Sequence, residues 1–343
     1  MCYDGLNLKL TSEGRTLINS EYLSFNGKYN RSNGEVHSYP LESKDNGFFT
    51  KLNKFSIYSS GSIHKLAQNG FNINDFNYKE LEPSIFEFAK MYNTDPYKTS
   101  IHNIEFGVNI TPPFEADMYN ICKRFIGHKN KVFHVMHSKS KQKIGVQIEN
   151  DNYTIKIYSK TLQEKLNYAL LRVEVKYKRM QQLFSSKENT KEYYMIDLLD
   201  REFFYRIKAN YLKEIKSCLI LEDFETDLKP KQQLFLANAA NPNTWTAFDR
   251  RERYNNLNKY NELVQTKATT KFKECIMQRI IEKVDAFENS FPKKIDILPT
   301  SIYEQNVQFP VILLHKPSKN KSQKKPNAFF ITTKNYQNGI TKK

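Results

Sequence analysis

Two segments near the middle of the chain alternate strictly between apolar and polar residues, YTIKIYSK at Tyr153–Lys160 and LLRVEVKYKRM at Leu170–Met180. A period of two is that of a β-strand with one covered face. In the first, Tyr153, Ile155, Ile157 and Ser159 share one face, and Thr154, Lys156, Tyr158 and Lys160 share the other. In the second, Leu171, Val173, Val175 and Tyr177 point to a core, and Arg172, Glu174, Lys176 and Lys178 point away. Ile101–Ile110 repeats the period. Ile104, Phe106, Val108 and Ile110 face in, Glu105, Gly107 and Asn109 face out, and Gly107 leaves an open patch on the polar face. KFSIY, Lys131–His137 and Lys143–Glu149 read as further strands, with SSGS after KFSIY as a turn. Residues 1–50 are polar and unassigned, apart from two candidate short strands in LNLKL and EYLSFNG.

Helical spacing appears over Glu80–Tyr92, with Leu81, Ile85, Phe88, Ala89 and Tyr92 as the stripe and Pro83 in the first turn. Asn72–Tyr78 before it reads as a loop, and Phe114–Phe125 as another helix. Lys191–Leu221 reads as a long helix or helical pair, and Gln232–Tyr260 and Lys267–Phe287 as helices interrupted by NAANPNTW. QFPVILLHK reads as a last short strand. The expected fold is α+β, a largely antiparallel sheet with helices on one face, then a helical C-terminal region and a basic tail. The expected division is an N-terminal segment (1–50), a sheet domain (51–222), a helical region (223–303) and a disordered tail (304–343).

The net charge of +16 over 343 residues favours a polyanionic partner, nucleic acid before an anionic membrane. Nothing approaches the ~18 unbroken apolar residues of a membrane span. MCYDGLNLKL shows no secretory signal, so a cytoplasmic protein is expected. Cys2, Cys122, Cys218 and Cys275 are widely spaced, which predicts reduced thiols and no zinc site.

The polar faces of the two central strands carry a tyrosine, a carboxylate and several cations. Those are the groups needed to cut a phosphodiester through a covalent intermediate. Tyr158 lies between Lys156 and Lys160; Glu174 lies between Arg172 and Lys176. Glu174, with Glu105 as a second acid, suits Mg²⁺ or Mn²⁺. The same residues equally suit packing and cross-strand ion pairs. The other cations of these strands, Lys156, Lys176, Lys178 and Arg179, are candidate DNA contacts. His134 and His137 are three apart and fall on opposite strand faces, a poor shared metal site. Glycine-rich phosphate loops are absent.

An ordered set of patterns resembles the replication initiators of filamentous phages, the gene II/gene X type, and the related plasmid rolling-circle initiators. They are SIHKLAQNGFNINDF (62–76), NIEFGVNI (103–110), IKIYSK (155–160), LLRVEVK (170–176) and LFLANAANPNTW (234–245). The resemblance implies a metal-dependent enzyme that nicks one strand at an origin of replication. Its tyrosine stays joined to the 5′ end, and the free 3′ hydroxyl primes synthesis. It also implies Tyr158 as nucleophile, Glu174 and Glu105 as metal ligands, and Lys160 and Arg172 as a phosphate clamp. The partners implied are double- and single-stranded origin DNA with a host helicase and polymerase. Where relatives often carry Tyr-Asp-Lys this chain has Tyr158-Ser159-Lys160, and where plasmid relatives often carry a second acid it has Asn109. Tyr153, Tyr193 and Tyr194 remain alternative nucleophiles. A non-catalytic DNA-binding regulator and a conjugative relaxase are the other functions the residues allow.

Overall fold

The structure is a computed structural model that describes residues 3–10, 26–29, 36–45, 47–52, 57–112, 118–183 and 192–292. The tail and the QFPVILLHK segment lie outside those residues. In chain order come β1 (Tyr3–Leu10), β2 (Asn26–Tyr29), β3 (Val36–Asp45), β4 (Phe48–Leu52), β5 (Ile57–Ser62), α1 (Ile63–Ala67), α2 (Tyr78–Tyr92) and β6 (Ser100–Ile110). Next are α3 (Met118–Lys123), β7 (Phe125–His128), β8 (Lys131–Val132), β9 (His134–His137), β10 (Lys143–Glu149), β11 (Tyr153–Ser159), α4 (Lys160–Glu164) and β12 (Leu171–Tyr177). The chain then forms α5 (Arg201–Lys216), β13 (Cys218–Ile220), α6 (Pro230–Ala240), α7 (Pro242–Ala247), α8 (Arg250–Lys267) and α9 (Phe272–Asn289).

Ten strands form one antiparallel sheet in the order β2-β3-β4-β5-β1-β6-β12-β11-β10-β9. The apolar sets of the alternating segments all fall on one face. Phe106, Val108, Ile155, Ile157, Val173 and Val175 share a core with Phe88 of α2, Ile121 of α3, Phe204 and Ile207 of α5, and Ile280 and Val284 of α9. Tyr3 packs edge-on against Phe106 and Phe287 at 5.8 and 5.7 Å, and the Tyr211 hydroxyl donates to the Val173 carbonyl at 2.9 Å. The α+β expectation, with helices on the apolar face, is therefore what the chain forms.

β1, which contains the candidate short strand LNLKL and begins three residues before it, is one of the sheet's central strands. Tyr3 pairs with Phe106 and Leu6 with Ile104, so Asp4 and Gly5 together oppose the single residue Glu105. This is a β-bulge, and it re-aims a side chain out of strict alternation. SSGS is strand and not turn: β5 runs through it, held on both sides by β4 and β1. Lys131–His137 divides, because β8 pairs with β7 in a small second sheet while β9 pairs with β10 in the large one. Among the described residues of Lys191–Leu221 only α5 and a 3-10 turn at Met195–Leu199 are helical; the Tyr193 carbonyl accepts from Ile101 N–H at 2.7 Å beside β6. α2 begins two residues before Glu80, which places Pro83 in its second turn.

α9 packs in the core of the large sheet, whereas α6, α7 and α8 cover the small one. There Ile126, Leu219, Ala239, Trp245 and Tyr260 form a second core, with the Tyr260 hydroxyl donating to the Ile220 carbonyl at 3.0 Å. Among the described residues no helix is long and apolar enough to cross a membrane. Among the described residues Cys122, Cys218 and Cys275 form no disulfide.

Candidate active site

On the face opposite the main core, strand register sets the polar side chains in ranks. Tyr158 of β11, Arg172 of β12 and Asn109 of β6 form one rank; Lys156, Glu174 and Gly107 form the next; Thr154, Lys176 and Glu105 form the third. Antiparallel partners stand close enough to touch. Gly107 does not leave an open patch. A Cβ there would lie 2.5 Å from Glu174 Cβ and 2.8 Å from the Val173 carbonyl, so the missing side chain is the room Glu174 occupies. Gly5 serves Glu105 in the same way, since a Cβ there would meet its Oε2 at 2.5 Å.

The bulge in β1 brings Asp4 into this array. Asp4, Glu105 and Glu174 each present a carboxylate oxygen, and these oxygens lie within 4.8 Å of one another. Arg172 is wholly buried and joins the set: it donates to Glu174 Oε2 at 2.7 Å, Asp4 Oδ2 at 2.6 Å and Asn109 Oδ1 at 2.9 Å. Lys156 spans Glu174 Oε1 at 2.8 Å and Glu105 Oε1 at 3.2 Å, and Lys176 reaches Glu105 at 3.2 Å. Three carboxylates thus face three cations, and the cluster is neutral as it stands.

Tyr158 is buried, and its hydroxyl donates to Glu174 Oε2 at 3.2 Å. Burial first, then the charge of Glu174, raises its phenol well above the ordinary value. Burial alone would raise Glu174, but Lys156 and Arg172 overcome it and hold the carboxyl down at about 2. Burial opposes the charge on Lys156 too, and Glu174 and Glu105 outweigh it, so the ammonium titrates above its ordinary value.

Lys160 is not a strand residue but the first residue of α4, which Ser159 caps by accepting from Leu162 N–H at 3.0 Å. Its Nζ donates to Asn72 Oδ1 at 2.8 Å and Glu164 at 3.2 Å, and lies 5.7 Å from the centre of the Tyr158 ring. Burial, then the charge of Arg172, lowers this ammonium to about 8.

Asn72, in the loop between α1 and α2, also donates to Asp4 Oδ2 at 3.0 Å, and Ser62 donates to the other Asp4 oxygen. Asn109 Nδ2 donates to the Asn72 and Ile73 carbonyls at 2.9 and 3.1 Å, which straps that loop across one end of the ranks. His64 is buried against Phe76 at 4.9 Å, and burial holds its imidazole neutral, down to about 3, despite nearby Asp4.

The structure therefore brings Tyr158, Lys160, Arg172, Glu174, Glu105, Lys156 and Lys176 together. Lys178 pairs instead with Glu149 at 2.7 Å, and Arg179 is exposed at the end of β12. Among the four tyrosines named as nucleophiles, only Tyr158 meets the carboxylates. Tyr153 takes Lys129 at 2.7 Å on the other face, Tyr193 is buried in the apolar core, and Tyr194 donates to Glu192 at 3.2 Å. Sequence reading missed Asp4, Asn72 and Ser62. The signal for Asp4 was YDGLNLKL, where Leu6, Leu8 and Leu10 alternate; Ser62 and Asn72 lay inside the pattern SIHKLAQNGFNINDF with no role assigned.

The three carboxylates offer hard oxygen donors at one point, which suits Mg²⁺ or Mn²⁺. Comparison with protein-family models, curated proteins and solved structures finds no match to this chain.

Proposed function

We propose that the chain is a rolling-circle replication initiator, a metal-dependent enzyme that nicks and rejoins one strand of origin DNA through Tyr158. One observation carries this reading: the Tyr158 hydroxyl rests on Glu174, within a trio of buried Asp4, half-buried Glu105 and buried Glu174. In the reaction the Tyr158 oxygen forms a bond to phosphorus, the bond from phosphorus to the 3′ oxygen breaks, and the phenolic proton leaves. The 5′ phosphate stays on tyrosine, and the freed 3′ oxygen takes a proton. The new phosphodiester keeps the bond energy, so the reverse attack rejoins the strand without a nucleotide cofactor.

Asp4, Glu105 and Glu174 would hold Mg²⁺ or Mn²⁺, which supplies the positive charge that favours the phenolate and polarises the phosphate. Glu174 accepts the hydrogen bond that orients the phenol, and the proton the phenol gives up passes to solvent water. Arg172 has its guanidinium turned to Asp4, Glu174 and Asn109, so its part is to hold the carboxylates together. Lys156 and Lys176, at the partly exposed side of the cluster, are the cations positioned for a phosphate. The basic chain suits duplex and single-stranded DNA in the cytoplasm, with a host helicase and polymerase following the nick.

A second reading is a DNA-binding regulator in which the cluster is structural. It is favoured by the charge balance, since each carboxylate already has a cation within 3.2 Å. Single-stranded oligonucleotides tiled across the protein's own genetic element, with Mn²⁺ or with chelator, separate the two. The initiator leaves a covalent protein–DNA band that requires metal and is lost in Tyr158→Phe. Tight binding without any adduct selects the regulator.

A further inference from the structure

We infer that unpaired bases flanking the scissile phosphate stack on two exposed aromatic side chains, Phe71 and Tyr168, which flank Lys160; this rests on the reading of the site as a DNA-nicking centre. Phe71 is 60% exposed and Tyr168 47%, and neither joins an apolar core. A phenyl ring left in water forgoes the stabilisation of burial.

These rings do not sit on loose loops. Phe71 N–H donates to the Gln68 carbonyl at 3.1 Å. The next residue, Asn72, is buried and bonded to both Asp4 and Lys160, and its carbonyl is held by Asn109. Asn69 and Gly70, at φ 50° and 94°, turn the chain into this segment. Phe71 is therefore mounted on a backbone clamped into the site. Tyr168 is fixed from the other side: its carbonyl accepts from the Thr161 hydroxyl at 2.8 Å, and that hydroxyl oxygen accepts from Leu170 N–H at 2.8 Å. Thr161 follows Lys160 directly. Each residue is thus linked to Lys160 through one anchored neighbour, Asn72 or Thr161. Exposed Lys165 ends the short helix between them.

Exposed aromatic side chains on anchored backbone match the chemistry of single-stranded DNA, whose unpaired bases stack on aromatic rings with little sequence preference. Bases in a duplex already cover their faces on each other. The occupant is therefore a single strand, entering after the origin has opened.

The test is fluorescence anisotropy with a labelled strand of roughly twelve nucleotides, and with the matching duplex, in chelator so that no cleavage occurs. Phe71→Ala and Tyr168→Ala should each weaken single-strand binding about tenfold, and the double variant about a hundredfold. Duplex binding and melting temperature should not change. Phe71→Trp should restore binding, and Phe71→Leu, apolar but not aromatic, should not. Wild-type affinity in the double variant, equal loss on duplex, or rescue by leucine overturns the inference. Adduct formation with Mn²⁺ is measured in parallel. Adducts made with both rings dispensable sink the stacking alone; a wild-type protein that neither binds single strands nor forms adducts sinks the nicking reading with it.

Discussion

Replacing Arg172 by methionine tests whether the polar cluster is a cation site or a closed ion-pair core. The side chain is wholly buried, and methionine keeps much of its volume without the charge. The substitution removes donors from Glu174 at 2.7 Å, Asp4 at 2.6 Å and Asn109 at 2.9 Å. Asp4 then keeps Asn72 and Ser62, and Glu174 keeps Lys156 and Tyr158, so three buried or half-buried carboxylates face two lysines instead of three cations. Removing one partner of a buried ion pair costs about 3–5 kcal/mol. In a chain of this size that lowers the melting temperature by roughly 4–7 °C. A divalent cation bound by the carboxylates replaces the missing charge, so Mn²⁺ should raise the melting temperature of Arg172→Met more than that of wild type. The assay is thermal melting followed by circular dichroism, in chelator and then in millimolar Mn²⁺. A variant that melts with wild type in chelator would show that Arg172 does not hold the carboxylates together. Equal destabilisation with and without Mn²⁺ would show that they do not gather a cation.

Gly107→Ala drives a Cβ to 2.5 Å from Glu174 Cβ and 2.9 Å from its Cα, neither of which can swing away. The expected cost is about 1–3 kcal/mol by chemical denaturation, with weaker Mn²⁺ binding; unchanged values for both would refute the close-approach argument. On the other face, burial would raise the Glu214 carboxyl, but hydrogen bonds from His128, Lys129 and Tyr153 overcome it and hold the group at about 2 instead of 4.5. Its contribution, about 2–3 kcal/mol, is complete above the unfolded value and is lost as pH falls through the folded one. Glu214→Gln should therefore melt below wild type at pH 7, with the gap closing between pH 4.5 and 2; a gap independent of pH would contradict the assignment.

The alternation of Ile104 to Ile110, Ile155 to Ser159 and Leu171 to Tyr177 was enough to name three strands, their buried faces and the polar side chains that share the other face. A two-residue period is a local property of the backbone, so it survives without knowledge of neighbours. The helices α2 and α9 were legible for the same reason. The antiparallel α+β class followed from consecutive strands with few crossover helices between them.

What the tertiary structure alone decided is which polar residues meet. Cross-strand register put Tyr158 beside Arg172, and Lys156 beside Glu174, and no local pattern encodes register between segments joined by a loop of variable length. Asp4 stands 168 residues from Arg172 and reaches it only because a bulge breaks the alternation of its own strand. Asn72 lies in a loop with no periodicity and becomes part of the site through a strap made by Asn109. SSGS shows the same limit: its composition reads as a turn, and pairing on both edges makes it strand. Hydrophobic period determines which face of an element is buried; the choice of partner across that element is made by long-range packing, where burial of whole side chains outweighs local preference.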